Sequence, residues 1–144
     1  MELEQFHMAR YQGSKQFAQL DIPTANATGF TAAADDYMER GIDLNEQLIR
    51  NKPATFFMRV SGEAMIGAGI YHGDVVIVDR SIKAINGKVV IVTLNGEMLI
   101  RRLEKNFNRI RLIPETTKLS AIEVDPSGAD FSVWGVVTYV IHAL

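Results

Sequence analysis

Residues 88–103 read KVVIVTLNGEMLIRRL, which is the pattern of a β-hairpin. The first half is rich in β-branched residues, and Asn95-Gly96 is a strong signal for a two-residue hairpin turn. Apolar and polar residues then alternate through EMLIRRL. The stretch predicts two antiparallel strands, residues 88–94 and 97–103, joined by a tight turn.

Further strand-like segments lie on both sides of this hairpin. They are ATFFMRV (54–60), DVVIVD (74–79), RIRLIP (109–114) and FSVWGVVTYVIHAL (131–144), with a bend expected at Gly135. Turn residues separate these short strands. The pattern predicts a compact, mostly β, antiparallel fold.

The N-terminal part has a different character. Residues 1–31 are polar, lack periodicity and contain the small-residue run PTANATGFT, which predicts an extended or mobile arm. Thr31 is a candidate cap for a short helix through AAADDYMER, and Asp43 for a second helix, LNEQLIR. We therefore predict an arm over residues 1–31 and one β domain over residues 32–144.

Composition narrows the class of protein. A chain of 144 residues with a net charge of −2 is long enough for one core and unlike a dedicated nucleic-acid-binding protein. It has no cysteine, and His7, His72 and His142 lie far apart in sequence, so neither a metal site nor a cofactor is expected. The absence of a signal peptide and of a bilayer-spanning segment indicates a cytoplasmic protein.

Two features of the sequence are candidates for chemistry. Ser61-Gly62-Glu63-Ala64-Met65 directly follows a predicted strand, where a tight turn can direct backbone N–H groups at one point, as an oxyanion hole requires. The simpler interpretation is a strand-end turn that contains glycine. In strand 97–103, alternation places Arg101 on the face of Leu99 and Leu103, and Arg102 on the other face with Met98 and Ile100. Whichever face is buried, an arginine shares it with apolar residues. The simpler interpretation there is an arginine whose head reaches water.

A basic cluster is the third candidate. It consists of Arg101, Arg102, Lys105, Arg109 and Arg111. Such a cluster can bind phosphates. The alternative is a solvated face, offset by Glu97, Glu104 and Glu115. Because Phe107 is the one aromatic residue among these arginines and lysines, we favour the solvated face.

Several segments, taken in order, resemble one family. They are YMERGIDLN (37–45), SGEAMIGAGIYHGDVVIVDR (61–80), the hairpin, and WGVVTYVIHAL (134–144). Over residues 27–144 the chain resembles the LexA/UmuD family of self-cleaving serine peptidases. It is closer to the UmuD branch, since there is no room for the separate DNA-binding domain of LexA. The resemblance implies a LexA/UmuD-like β-fold.

The family's functional positions can be transferred one by one. The serine nucleophile of the Ser-Lys dyad falls on Ala64, and the lysine base falls on Arg101. The self-cleaved bond falls between Thr28 and Gly29, and the oxyanion hole on the backbone N–H groups of Glu63 and Ala64. Alanine has no nucleophile, and a guanidinium keeps its proton in proteins. We therefore predict that this chain does not cut itself.

The resemblance also implies a role and partners. The family regulates translesion DNA synthesis in the SOS response to DNA damage. Its members are homodimers that the RecA–single-stranded-DNA filament stimulates to cleave, and the cleaved form serves a UmuC-like translesion polymerase subunit. This chain is then an uncut-state form, through either engineering or natural loss. The alternative is a pseudo-protease decoy or binding module that heterodimerises with an active homologue. A signal peptidase uses the same dyad but is disfavoured by the missing membrane segment.

Overall fold

The computed structural model describes residues 8–10, by their backbone, together with residues 41–125 and 127–144. Most of the predicted arm, with Thr28, Gly29 and the AAADDYMER helix, lies outside the described residues. The strands are β1 (Met8–Arg10), β2 (Thr55–Arg59), β3 (Val75–Asp79), β4 (Val89–Leu94), β5 (Glu97–Asn106), β6 (Arg109–Ile113), β7 (Ile122–Val124) and β8 (Phe131–Ile141). One α-helix, α1, spans Leu44–Leu48, and 3-10 turns span Lys52–Ala54 and Ile66–Ala68.

The strands of the described part form a single sheet. Their order across it is β1-β2-β3-β8-β4-β5-β6-β7, and every neighbouring pair is antiparallel. The predicted mostly β, antiparallel fold is therefore confirmed. The sequence did not predict the two edge strands, β1 and β7, each of which has only three residues.

The β4–β5 hairpin has the predicted turn. Asn95 and Gly96 have φ angles of +50° and +85°, as a type I′ turn requires at both central positions. Leu94 pairs with Glu97 and Val92 with Leu99, so the turn fixes the register of both strands.

The long strand β8 is irregular where a bend was predicted. Ile91 pairs with Gly135 but the next residue, Val92, pairs with Val133, so Trp134 is an extra residue and forms a β-bulge. A Cβ atom on Gly135 would lie 2.6 Å from Val78 Cγ1. The bulge and the missing side chain together let β8 pack closely between β3 and β4.

The predicted cap of the second helix is confirmed. The Asp43 carboxylate accepts hydrogen bonds from the backbone N–H groups of Asn45, at 3.0 Å, and Glu46, at 3.4 Å. The helix ends at Leu48, two residues before the end of the predicted LNEQLIR segment. The chain then enters the 3-10 turn that leads into β2.

Two apolar clusters form the core. The loop-side core contains Met58, Val60, Ala64, Met65, Ile70, Val76, Val78, Ile91 and Ile100. The hairpin-side core contains Val90, Val92, Leu99, Leu103, Leu112, Val124 and Val136. Because successive side chains of a strand point to opposite faces, β4 and β5 contribute to both clusters. This explains why VVIV in β4 is a continuous apolar run.

Candidate functional site

The segment between β2 and β3, residues 60–74, forms a compact loop that we call the Ser61 loop. Its base is closed by the Val60 N–H, which donates to the Asp74 carbonyl at 2.8 Å, and by the Gly73 N–H, which donates to the Val60 carbonyl at 2.8 Å. Gly62 turns the chain with a φ of +90°, a conformation that favours glycine. Its N–H donates to His72 Nδ1 at 3.0 Å, so the start of the loop is held in place by its end.

Ala64, the predicted nucleophile position, is buried in this loop. It is 4% exposed and belongs to the loop-side core with its neighbour Met65, which is 1% exposed. Among the residues that the structure describes, no protein acceptor pairs with the backbone N–H groups of Glu63 and Ala64. The Glu63 side chain points outward, where Lys118 Nζ lies 3.8 Å from its carboxylate.

Glu115 connects the Ser61 loop to β5. Its N–H donates to the Ala64 carbonyl at 2.8 Å, and its carbonyl accepts from the Gly67 N–H at 2.7 Å. Its carboxylate lies 2.5 Å from Arg102 Nε, and Arg102 also donates to the Gly87 carbonyl at 2.7 Å. A hydrogen-bonded path therefore leads from Ala64 to the middle of β5. Sequence reasoning counted Glu115 only as a charge that offsets the basic cluster.

Arg101, the predicted position of the base, directly precedes Arg102, where this hydrogen-bonded path ends. It is 5% exposed and donates to the Ile100 carbonyl at 2.7 Å. Strand alternation places Arg101 on the face of Leu99 and Leu103, and Arg102 on the face of Ile100. The interpretation that the arginine head reaches water is therefore wrong for Arg101. It fits Arg102 better, whose side chain is 37% exposed.

The basic cluster is largely neutralised by ion pairs. Arg109 binds the Glu123 carboxylate, and Arg111 lies 3.1 Å from Glu104 and 3.7 Å from Glu123. The hydrogen bond from Arg109 holds the pKa of Glu123 below its ordinary value. These pairs favour the solvated face over a phosphate-binding patch.

A carboxylate anchors the end of the Ser61 loop to the C-terminal segment. Asp74 is 3% exposed, and its Oδ1 lies 2.5 Å from Nδ1 of His142. Its Oδ2 accepts from the Tyr71 N–H at 2.8 Å. Burial alone would raise the pKa of Asp74, but the hydrogen bonds from Tyr71 and His142 hold that pKa below its ordinary value.

Replacing this carboxylate should make stability less dependent on pH. We expect Asp74→Asn to lower the free energy of unfolding by about 1–3 kcal/mol at pH 7, because a buried hydrogen-bonded charge is lost. A folded-state pKa below the ordinary 3.8 means that the carboxylate stabilises the fold above that pH and loses this effect as the pH falls further. In urea titrations the difference from the unchanged chain should therefore shrink toward pH 3. Asp43→Asn, at an exposed cap, is the control; a difference for Asp74→Asn that is constant with pH would contradict the assignment.

Two kinds of site are not found in the described part of the chain. Within residues 41–125 and 127–144, no three histidine, aspartate or glutamate side chains are grouped as metal ligands. No helix of these ranges is long and apolar enough to cross a bilayer.

Comparison with known proteins supplies the wider context. Residues 22–138 match the family described as Peptidase S24-like. The chain is 34% identical to Protein MucA of Salmonella typhimurium over 113 residues, which cover 78% of this chain and 77% of that protein. It is 37% identical to Protein ImpA of Shigella flexneri over 119 residues, 79% of this chain and 77% of that protein. It is 33% identical to the LexA repressor of Dechloromonas aromatica over 133 residues, 91% of this chain and 66% of that protein.

Proposed function

The chain belongs to the Peptidase S24-like family and is a UmuD-like protein of the SOS response, and from that premise we propose that it regulates translesion DNA synthesis in a permanently uncut form. The observation that carries this proposal is the burial in the Ser61 loop of Ala64, which we assign as the position of the family's nucleophile. A methyl group there fills the core and offers no oxygen for attack on a peptide bond. The cleavage-site equivalent, Thr28–Gly29, would then stay intact.

We propose that Ala64 and Arg101 each remove a chemical group of the family's dyad, the first the nucleophile and the second the base. The N–H groups of Glu63 and Ala64 are the proposed oxyanion hole, and the lack of an acceptor for them among residues 41–125 and 127–144 supports that role. Removing the nucleophile of a serine peptidase costs on the order of 10⁶ in rate. Arg101 adds a second block, because a guanidinium does not give up its proton to become a base.

The first test is the stability of the peptide bond itself. At about pH 10, near the ordinary pKa of lysine, a dyad lysine is deprotonated in a large fraction of molecules. We expect this chain to remain a single intact species under these conditions, by gel and by mass spectrometry. The variant with both dyad residues restored is run beside it to show that the conditions permit cleavage. A fragment that begins at Gly29 in the unchanged chain would contradict the proposal.

We also propose that the chain is a homodimer. The support is an exposed apolar end of β8, where Tyr139 and Ile141, which alternation places on one face of the strand, are 37% and 50% exposed. Exposed apolar groups that lie together mark protein interfaces. Two-fold symmetric dimers are the commonest arrangement of identical chains.

Ile141→Asp should therefore weaken association. A charge that must be buried in an interface costs several kcal/mol, so we expect at least a 100-fold rise in the dimer dissociation constant in sedimentation equilibrium. Ile85→Asp is the matched control, since Ile85 is 49% exposed and lies in the connection between β3 and β4. Equal dissociation constants for the two variants would show that the end of β8 is not the interface.

Partners beyond the dimer are proposed from the family alone. They are the RecA–single-stranded-DNA filament, which this chain would bind without being cut, and a UmuC-like polymerase subunit; both would place the chain in the cytoplasm.

The same exposed end of β8 would serve the alternative role, a decoy that pairs with an active homologue. Mixing the chain with such a homologue distinguishes the two roles. Mixed dimers that form at the expense of homodimers would favour the decoy.

A further inference from the structure

The outer edge of β2 is covered by a segment from the far N-terminal part of the chain. Residues 8, 9 and 10 of β1 pair antiparallel with Met58, Phe57 and Phe56. On its other side β2 is paired with β3 along its whole length, Thr55–Arg59. Without β1, therefore, β2 would be the last strand on that side of the sheet and would present unpaired backbone groups.

The two edges of the sheet differ in how well they are protected. At the far edge, β7 has three residues, and its central Glu123 is held by Arg109 and Arg111. Short edge strands and charges on them are the usual protection against pairing with other chains. By contrast, β2 has five residues, TFFMR, without proline and with one charge at its end. That charge, on Arg59, turns away to the Gly73 carbonyl at 2.8 Å. An edge of this composition accepts another strand when it is uncovered.

The proposed cleavage site lies between β1 and β2 in the chain, so a cut there would detach β1 from the strand that it covers. β1 precedes the Thr28–Gly29 bond and β2 follows it. An intact backbone keeps β1 at a high effective concentration near β2. Three residue pairs hold a detached peptide only weakly, since even an isolated two-stranded hairpin is only marginally stable in water. A detached segment therefore occupies the edge only when it is supplied at high concentration, whereas the intact backbone keeps β1 in place.

We infer that the outer edge of β2 is a docking site for an extended peptide segment, and that Met8–Arg10 of the same chain occupies it while the backbone is intact. Recognition there is by main-chain hydrogen bonds, as in other cases where a peptide adds a strand to a sheet. The inference rests on strand pairing and on the composition of the edge, and it does not depend on the dyad assignment. It goes beyond the proposed function by naming the surface that the uncut state keeps covered.

Proline scanning of β1 in the full chain tests this inference. In an antiparallel pair, residues facing the partner with both N–H and C=O alternate with residues facing away. Residues 8 and 10 share one backbone orientation in β1, and residue 9 has the other. Ala9→Pro and the double variant Met8→Pro/Arg10→Pro therefore test the two orientations separately. One of them removes backbone donors aimed at β2, and the other, whose N–H groups face solvent, is tolerated at an edge and is the matched control. The probe is a synthetic peptide of residues 4–14, EQFHMARYQGS.

We expect one variant to lose at least tenfold in hydrogen-exchange protection at the outward-facing amides among residues 56–58. The same variant should bind the peptide at least tenfold more tightly than the unchanged chain does. The near-ultraviolet circular dichroism of Trp134, whose ring packs 4.9 Å from Phe56, reports that the fold is kept.

Three results would overturn the inference. One is equal protection and equal peptide binding in all three chains. Another is lost protection without saturable peptide binding, which would show that the bare edge accepts no strand. The third is protection that rises with protein concentration, which would assign the covering strand to a second copy. Self-cleavage plays no part in these readouts, so they stand or fall separately from the proposed function.

Discussion

Ala64→Ser together with Arg101→Lys is expected to restore cleavage between Thr28 and Gly29. The serine hydroxyl would lie in the Ser61 loop beside the N–H groups of the proposed oxyanion hole. A lysine at position 101 would occupy a site that is 5% exposed, where burial lowers the pKa of an amine and allows it to act as a base. The gain over the unchanged chain is on the order of 10⁶ in rate. It is measured as the time course of a fragment that begins at Gly29.

The matched control moves the lysine by one residue. Ala64→Ser with Arg102→Lys puts an amine beside the Glu115 carboxylate, at a position whose side chain is 37% exposed. Both the nearby negative charge and the water favour the protonated form, so this variant should stay uncut. If it cuts and the Arg101→Lys variant does not, the base belongs at position 102, where the hydrogen-bonded path from Ala64 ends. If both remain uncut although folded, the site has lost more than its dyad.

Gly67→Ala is expected to destabilise the protein strongly through the contact between the Ser61 loop and Glu115. A Cβ atom at this position would lie 2.7 Å from the Glu115 carbonyl oxygen, which itself accepts the Gly67 N–H at 2.7 Å. That oxygen belongs to the backbone, so the clash is relieved only by opening the contact between Glu115 and the loop. We expect a loss of about 3 kcal/mol, at the upper end of the usual range for overpacking, in urea-induced unfolding.

The control for Gly67→Ala is another glycine outside the left-handed region. At Gly128 an added Cβ would meet the Asp125 side-chain oxygen at 3.1 Å, and a side chain can rotate away. Gly128→Ala should therefore change stability by less than about 0.5 kcal/mol. In the background with the dyad restored, Gly67→Ala should also slow cleavage at least tenfold, because the loop that carries position 64 shifts. Similar stabilities for the two alanine variants would show that Glu115 does not hold the loop.

Most of the sheet was predictable because its signals are local. The Asn95-Gly96 turn and the runs of β-branched residues predict β4 and β5 without reference to the rest of the chain. The edge strands β1 and β7 have three residues each, too few for periodicity to be visible. Their pairing follows from the neighbouring strands and not from their own sequences.

The contacts around the candidate site were less predictable, since they join distant parts of the chain. Alternation along β5 placed each of the two arginines on a face with apolar residues, but it could not tell which arginine is buried. That choice depends on Glu115, whose carboxylate binds Arg102 across 13 positions of sequence. The contact between Asp74 and His142 spans 68 positions. No local pattern marks either pair in advance.

The central position of β8 has a consequence for how the protein is made. This strand is the last of the described strands in chain order, yet it lies between β3 and β4 and is the sole bridge, within the described sheet, between β1-β2-β3 and β4-β5-β6-β7. Until residues 131–141 have been made, β3 and β4 both lack the neighbour that joins them. Completion of the sheet must therefore wait for β8, and pairings of such long sequence separation form slowly.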